Sequence, residues 1–294
     1  MIPVTECVIC DASIEVMKRA LVAPFLTERI WNRKPFCVDL VRCTGCGFMF
    51  YNPRLDDEEL QRLYRGYRKE EYQRTRHASE PWYTARFNED LASLSSYESR
   101  RARVRQILLA HIGERKVKRV LDHGGDRGDL VAGLLDDAEP FVYDISGVHP
   151  AAGVTPVADP ASCRADLIIN SNVLEHVGFP RLLVGEIVKA APENGLIYLE
   201  VPSERPMAKS RLARRMAQIA VMSAAHPGLA RYILRPASLY MMHEHINYYT
   251  EQSLASLLKL SGARVIGTGL YATDGRAGKS DMAWCIGEAC QRSS

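Results

Sequence analysis

Short apolar strands alternate with helical segments between residues 118 and 201, and this alternation constrains the fold more than any other feature. Residues 118–122, 140–144, 165–170 and 196–201 are each predicted to form a strand. Helices are predicted through Leu130, Leu134 and Leu135 and from Pro180 to Ala191. This order is typical of a parallel sheet that helices cover on both faces. The sequence therefore predicts an α/β fold with a doubly wound sheet, which binds ligands at the carboxyl ends of its strands.

A glycine-rich turn follows the first of these strands, with the pattern Asp122-x-Gly124-x-Asp126-x-Gly128. Glycines there let a ligand approach the backbone amides, and a carboxylate at the end of the next strand, here Asp144, suits the hydroxyls of a ribose. An aspartate inside the turn would repel a pyrophosphate. The turn therefore predicts a cofactor that carries an adenosine and a cation but no phosphates, and S-adenosylmethionine is such a molecule.

Two Cys-x-x-Cys pairs, Cys7 with Cys10 and Cys43 with Cys46, flank residues 11–42 near the start of the chain. The sequence shows no signal peptide and no apolar run of about 20 residues, so we expect a cytoplasmic location, where thiols stay reduced. Four thiolates in this pattern predict a zinc ribbon that binds Zn²⁺. The alternatives are buried free cysteines or a redox pair.

The charge balance argues against a nucleic-acid partner. The chain has 38 Lys plus Arg and 35 Asp plus Glu, and residues 1–95 carry fourteen of each sign. A net charge of +3 does not indicate a nucleic-acid or membrane-surface partner, and the ribbon region has no basic face that could neutralise phosphates. The ribbon is therefore interpreted as a structural or substrate-side module.

Three segments of the chain resemble the motifs of class I S-adenosylmethionine-dependent methyltransferases. Residues 120–128 are similar to their first motif, residues 172–177 to their "LEHV" segment, and residues 193–202 to their "PGG-strand-P" segment. With the cysteine pairs in front, the chain most resembles the zinc-containing sugar methyltransferases, typified by C-methyltransferases of nucleotide-linked deoxysugars. This resemblance implies a Rossmann-like methyltransferase sheet with a small N-terminal zinc-ribbon domain.

The resemblance also implies roles for particular residues. In the related methyltransferases, the turn glycines lie under the methionine moiety, one aspartate holds the ribose, and another contacts the adenine. The polar residues after the fourth strand lie where the methyl group meets the acceptor. The implied cofactor-binding residues are Asp122, Gly124, Gly125, Gly128, Asp144, Asp159, Asn170 and Asn172. The chain departs from the family at Asp126, which replaces the central glycine of the motif.

The segment His243-Glu244-His245 is the densest cluster of proton-handling groups in the chain. A histidine with a pKa near neutrality can remove a proton from a hydroxyl or from the carbon beside a ketone. The resemblance implies that Glu244 and His245 are the catalytic pair, because the sugar C-methyltransferases have a similar "EH" pair before an aromatic segment. Two alternatives stay open. His245 could serve only as a cap or bridge, and His176 could be the base.

Residues 203–240 form a basic insertion, in which Arg211, Arg214 or Arg215 could contact an acceptor diphosphate. A solvated helix face is the alternative. Residues 205–220 also carry an apolar stripe, so contact with a membrane or a lipid-linked acceptor is a further and less favoured alternative.

Together these patterns predict a zinc ribbon at 1–55 with strands at 36–42 and 48–51, and a helical linker or lid at 56–95. They also predict a methyltransferase domain at 96–294, with helices over 96–112 and, after a cap at Thr250, over 253–260. The predicted function is methyl transfer to the carbon or oxygen of a small molecule, a sugar or nucleotide-linked sugar. A nucleic-acid methyltransferase is disfavoured because residues 170–173, Asn-Ser-Asn-Val, do not match the Asn/Asp-Pro-Pro-Tyr/Phe motif that binds a flipped base amine. A non-catalytic scaffold with a degenerate cofactor fold is the remaining alternative, and Asp126 is its best support.

Overall fold

A computed structural model describes residues 1–67, 69–86, 94–204, 206–207, 212–226, 229, 240–275 and 278–290. The strands are β1 (Ile14–Val22), β2 (Cys37–Cys43), β3 (Met49–Asn52), β4 (Arg119–His123), β5 (Glu139–Tyr143), β6 (Thr155–Pro156), β7 (Leu167–Ser171), β8 (Leu196–Pro202), β9 (Met241–Met242), β10 (Asn247–Tyr248), β11 (Ala263–Gly275) and β12 (Gly278–Ala289). The α-helices are α1 (Pro24–Trp31), α2 (Asp57–Tyr64), α3 (Glu70–Ser79), α4 (Leu94–Ile112), α5 (Pro180–Ala190), α6 (Leu212–Ala225) and α7 (Glu251–Leu260). None of the helices within these ranges combines the length and apolarity that crossing a membrane requires.

The chain divides into two compact units. The first unit comprises Met1–Asp90, Glu175–Gly178 and Glu204–Tyr248, and the second comprises Leu91–Leu174, Phe179–Ser203 and Tyr249–Ser294. The first unit thus contains the described part of the basic insertion and the His243-Glu244-His245 segment.

The second unit is built on a seven-stranded mixed sheet with the order β11-β12-β8-β7-β4-β5-β6. The strands from β8 to β6 run parallel, whereas β12 lies antiparallel to β8 and to β11. The prediction of a parallel sheet is therefore confirmed for five strands, and the final hairpin makes the sheet mixed. From β4 the chain adds strands first on one side and then on the other, so the strand order reverses between β4 and β7.

The central strands are buried along nearly their whole length, and their polar residues, Asn170, Ser171 and Glu200, lie toward their carboxyl ends. All five residues of β7 are buried, and β8 is buried from Leu196 to Val201. The helices begin where the sequence offers caps: α5 has Pro180 in its first turn, and α7 begins with a capping box between Thr250 and Ser253. The predicted helices over 96–112, 180–191 and 253–260 are confirmed to within two residues at each end.

The helix predicted through Leu130, Leu134 and Leu135 is wrong, because residues 126–137 form turns and bends instead. Gly128 and Gly133 have φ angles of 75° and 69°. A residue in the left-handed region ends a right-handed helix, so these two glycines do not allow a regular helix between them. Leu130 and Leu134 are nevertheless buried in the core of the second unit, as their helical spacing had indicated.

The first unit contains a five-stranded sheet with the order β10-β3-β2-β1-β9. Strand β1 pairs antiparallel with β2 and parallel with β9, and β3 pairs antiparallel with β2 and β10. The two strands predicted around the second cysteine pair are present as β2 and β3. Residues 243–246 connect β9 to β10, so the segment with the two histidines is a loop between the two edge strands of this sheet.

A buried arginine connects several segments of the first unit. Arg54 is fully buried. Its guanidinium donates hydrogen bonds to the carbonyl oxygens of Val177 (3.0 Å) and Gly178 (2.7 Å) and to Oδ1 of Asn247 (2.6 Å). Because a buried charge is costly unless its donors are satisfied, these bonds hold residues 175–178 and β10 against the first part of the chain.

Candidate functional site

The turn after β4 is shaped by residues in the left-handed backbone region. Gly124 and Gly128 have φ angles of 79° and 75°, and Asp126 has a φ of 57°. A Cβ on Gly124 would lie 2.7 Å from Cγ2 of Val173, and one on Gly128 would lie 2.8 Å from Cγ1 of Val154. Aspartate tolerates this conformation better than most residues. The turn therefore keeps the left-handed conformation that a glycine would adopt at position 126.

Unpartnered polar atoms lie beside this turn, inside the second unit. Asp122 and Asn170 are buried, and Oδ1 of each has no hydrogen-bond partner among the described residues. Burial raises the pKa of Asp122 to about 7. Buried acceptors without a donor are costly, and a ligand that carries an ammonium or hydroxyl groups would satisfy them. These two unpartnered acceptor oxygens and the glycine backbone of the turn fit the cofactor predicted from the sequence.

Two aspartates predicted to bind the cofactor accept hydrogen bonds from backbone amides. Asp144 accepts from the N–H of Asp126 (2.8 Å) and of Ser146 (2.7 Å), which connects the end of β5 to the tip of the glycine turn. Asp159 is exposed, and it caps the short 3-10 helix Pro160–Cys163 by accepting from the N–H of Ala161 (3.0 Å).

A buried ionic network lies at the carboxyl ends of β7 and β8. Nε of Arg100 donates to Oε1 of Glu200 (2.6 Å), and the guanidinium also contacts the hydroxyl of Ser171. The hydroxyls of Tyr198 and Tyr271 donate to Oε2 of Glu200 at 2.8 and 2.6 Å. Burial opposes ionisation of Glu200, but Arg100 and these hydroxyls together lower its pKa. The glutamate is therefore an anion at neutral pH.

Arg100 also contacts Asn172, the last asparagine of the predicted site. With the side-chain amide of Asn172 oriented so that its oxygen faces the guanidinium, that oxygen accepts from Nη1 (2.9 Å) and Nη2 (3.2 Å) of Arg100. Asn172 has a φ of 57°. The sequence analysis missed Arg100 and Glu200. The one available signal was a glutamate inside an otherwise apolar, buried strand, which requires a partner.

The four predicted zinc ligands lie together in the first unit. Sγ of Cys7 lies 3.8 Å from Sγ of Cys46, and Sγ of Cys10 lies 3.4 Å from Sγ of Cys43. All four sulfurs lie within 4.8 Å of one another. A tetrahedral site with zinc–sulfur bonds of about 2.3 Å has sulfurs roughly 3.8 Å apart. The N–H groups of residues 45 and 46 also point at Sγ of Cys43, each at 3.3 Å, as they would at a thiolate.

The three side chains of the His243-Glu244-His245 loop have different partners. Nε2 of His243 lies 2.8 Å from Oε1 of Glu80. Glu244 accepts a hydrogen bond from the hydroxyl of Tyr72 and pairs with Nη1 of Arg76 at 2.7 Å. Burial opposes ionisation of Glu244, but Arg76 lowers its pKa. The structure therefore places the carboxylate of Glu244 in an ion pair of the first unit rather than in a hydrogen bond to His245.

His245 instead lies between a glutamate and a second histidine. Its Nδ1 is 3.4 Å from Oε2 of Glu204, and its ring centroid is 4.8 Å from that of His176 in an edge-to-face arrangement. Burial opposes protonation of His245, but the hydrogen bond and charge of Glu204 raise its pKa to about 9. Burial and the nearby His245 lower the pKa of His176 to about 4. At neutral pH one ring is therefore cationic and its neighbour neutral.

Five of the seven basic residues of the insertion lie outside the described residues, namely Arg205, Lys209, Arg211, Arg231 and Arg235. Arg214 and Arg215 lie on helix α6. The apolar stripe of this helix is partly covered within the first unit, because Ile219 and Met222 pack against Leu21, whereas Met216 is exposed.

Comparison with known proteins agrees with this description. A family model described as "Methyltransferase domain" matches residues 96–267, which is more than half of the chain. No curated protein matches the chain. The solved structures that match include the 1,6-didemethyltoxoflavin N1-methyltransferase of Burkholderia thailandensis, whose structure holds 1,6-didemethyltoxoflavin and S-adenosylhomocysteine. It is 16% identical, the match covers 87% of this chain and 96% of that one, and the TM-score is 0.52.

Human N-acetylserotonin methyltransferase in complex with S-adenosylmethionine also matches, at 15% identity, over 81% of this chain and 61% of that one. Its TM-score of 0.41 is too low to support an argument. The mixed α/β sheet is that of the methyltransferase fold. The chain belongs to the methyltransferase domain family that matches residues 96–267.

Proposed function

We propose that the chain transfers a methyl group from S-adenosylmethionine to the oxygen or carbon of a small molecule, a sugar or a nucleotide-linked sugar. The observation that carries this proposal is the pair His176 and His245, whose rings lie 4.8 Å apart with opposite charge states at neutral pH. Such a pair can move a proton, which a hydroxyl or a carbon beside a ketone must lose before it attacks a methyl group. The sugar is supported by the resemblance of the sequence motifs.

On this proposal the second unit holds the cofactor. The backbone of Gly124, Gly125 and Gly128 would lie against the methionine moiety, and the unpartnered Oδ1 of Asp122 would accept from its ammonium group. Asp144 would bind the ribose while its amide contacts hold the turn. Asp159 would contact the adenine, and Asn170 and Asn172 would lie next to the transferred methyl. Once bound, S-adenosylmethionine supplies an electrophilic methyl carbon and a thioether leaving group.

The four cysteines are proposed as a structural zinc site. Their sulfur separations support a tetrahedral ion, and the N–H groups directed at Cys43 would stabilise a thiolate ligand. A structural metal contributes directly to folding, so it would hold β2 and the turn before β3 in place.

The proposal is tested with the zinc-replete protein, S-adenosylmethionine and a thymidine-diphosphate-linked 4-keto-6-deoxyhexose as the probe. We expect S-adenosylhomocysteine to form and the sugar nucleotide to gain the mass of one methyl group, with NMR locating it on carbon or oxygen. A panel that adds free sugars and tRNA tests the acceptor class. Methylation of tRNA, with no methylated sugar, would contradict the proposal.

A further inference from the structure

The two rings of the His176–His245 pair differ in charge, and their hydrogen bonds show which nitrogen atoms carry a hydrogen. Nδ1 of His176 lies 3.0 Å from the carbonyl oxygen of Glu244 and 2.8 Å from the hydroxyl oxygen of Tyr64. A carbonyl oxygen only accepts, so Nδ1 carries the hydrogen, and the tyrosine oxygen can accept from it too. The lone pair of the neutral ring is therefore on Nε2. Oε1 of Glu175 lies 3.9 Å from Nε2, which is beyond hydrogen-bond distance.

His245 differs from His176 in its charge and at its Nε2 atom. Its Nδ1 faces the carboxylate of Glu204 at 3.4 Å, so this nitrogen carries a hydrogen in an ion pair. A cationic ring is also a donor at Nε2. A carboxylate oxygen of Glu175 and one ring nitrogen each of His176 and His245 lie within 4.8 Å of one another, so the neutral and the cationic ring can reach a single small molecule.

The ionisable groups around the pair support this assignment. The ionisable groups that contact or act on His176 include Tyr64, Glu175, Glu204, Glu244 and His245. Those that contact or act on His245 include His176, Glu175, Glu204 and Glu244. The carboxylate of Glu244 is already paired with Arg76. Glu204 pairs with Nδ1 of His245 at 3.4 Å, so the extra proton lies on His245.

We propose that His176 is the general base of the reaction and that His245 is a cationic donor to the oxygen of the acceptor, with Glu204 as its positioning residue. This assignment rests on the proposed function. It deepens that function by giving each histidine a separate role toward an acceptor whose reactive form is an oxyanion or an enolate. It differs from the sequence-based prediction, in which His245 with Glu244 was the base.

The proton and electron balance is simple. Nε2 of His176 takes the proton from the oxygen or carbon of the acceptor, and the electron pair left behind forms the bond to the methyl carbon. The carbon–sulfur electron pair leaves with the sulfur. When carbon is methylated, the enolate oxygen accepts a hydrogen bond from His245, which stabilises the developing negative charge. His176 then returns its proton to solvent.

The Glu204→Gln variant separates this assignment from one in which His245 is the base. The neutral amide removes the charge that keeps His245 protonated, so the pKa of His245 falls. We expect wild-type kcat/KM for the 4-keto-sugar probe to fall at low pH as His176 becomes protonated and at high pH as His245 loses its proton near pH 9. In Glu204→Gln the alkaline limb should move to lower pH, with at least a tenfold loss at pH 8. A gain in activity at pH 7 would overturn the proposal, because a basic His245 would then be the active form.

Single histidine variants give the second kinetic test. His176→Asn should lower kcat by about 10² to 10⁴, the usual contribution of a general base, with the affinity for S-adenosylmethionine unchanged. The control is His77→Asn, which replaces an exposed histidine of the first unit whose Nδ1 contacts the carbonyl oxygen of Tyr83. It should keep wild-type activity. Full activity of His176→Asn would overturn the base assignment.

An NMR titration gives a readout that does not depend on turnover. In protein labelled at histidine Cε1, the signal that His176→Asn removes should titrate near pH 4, and the signal that His245→Asn removes should titrate near pH 9. The second value should fall in Glu204→Gln. If both histidines titrate near 6.5, the assignment is overturned even where a methyl acceptor has been found. If the titrations are as expected but no sugar is methylated, the proposed substrate fails and the charge assignment stands.

Discussion

Substituting alanine for Gly124 tests whether the turn after β4 is shaped as the structure describes. The residue has a φ of 79°, and an added Cβ would lie 2.7 Å from Cγ2 of Val173. A left-handed non-glycine residue costs about 1–2 kcal/mol, and forcing a methyl group into a packed site costs about 1–3 kcal/mol more. We therefore expect Gly124→Ala to lower the free energy of unfolding by roughly 2–5 kcal/mol.

Gly153 provides a matched control, because its φ of 80° is almost the same but nothing lies within 4 Å of the position of its Cβ. Gly153→Ala should cost only the backbone part, about 1–2 kcal/mol. Urea denaturation of both variants gives the free energies, and calorimetry gives the affinity for S-adenosylmethionine. Gly124→Ala should weaken binding about tenfold or more, whereas Gly153→Ala should not change it. Equal destabilisation and equal affinity in the two variants would refute the described turn.

Further predictions concern the first unit. Arg54→Met should destabilise by about 3 kcal/mol or more in urea denaturation, because buried carbonyl oxygens lose their donors. Arg62→Met, which removes a surface ion pair with Glu58, should cost less than about 1 kcal/mol, and similar losses would contradict the account. Elemental analysis should find one equivalent of zinc in the wild type and in Cys163→Ala but none in Cys43→Ala. Cys43→Ala should also have a lower thermal unfolding midpoint. Retention by Cys43→Ala would argue against the metal site. The pKa of His176 is about 4 in the folded state, below the ordinary histidine value of 6.5, so as the pH falls the unfolded chain takes up this proton at a higher pH than the folded chain does. Its contribution to stability is therefore complete above pH 6.5 and is lost as the pH falls through about 4. In urea denaturation at pH 4.5 and 7.5, His176→Asn should lose less stability with acid than the wild type, and an equal loss would contradict the shift.

The sequence predicted the elements that obey a simple periodicity. Continuous apolar runs gave the central strands, and the cap at Thr250 placed the start of α7 within a few residues. It failed where local backbone conformation decided the outcome. The leucine spacing after the glycine turn predicted a helix, but the left-handed conformation of Gly133 produces turns instead. Helical spacing carries no information on which glycines adopt positive φ.

The candidate site was predictable where residues act through local motifs and much less so where they act through distant partners. The four cysteines and the glycine turn were found from spacing alone. The pairing of Arg100 with Glu200, 100 positions later, and of Glu244 with Arg76 depends on tertiary packing that spacing does not encode. The same applies to His245. Glu204, which sets its charge, lies 3.4 Å away in the structure but 41 positions earlier in the chain, so the sequence does not identify it as the partner.

Calorimetric titration of the zinc-replete protein with S-adenosylmethionine tests the central claim most directly. The account predicts saturable 1:1 binding, accompanied by thermal stabilisation. Binding should be lost in Gly125→Leu, because a Cβ there would lie 2.1 Å from the carboxyl carbon of Asp122, and it should persist in Gly153→Ala. Absence of heat and of thermal shift in the wild type, or undiminished binding by Gly125→Leu, would contradict the assignment of the β4 turn as the cofactor site.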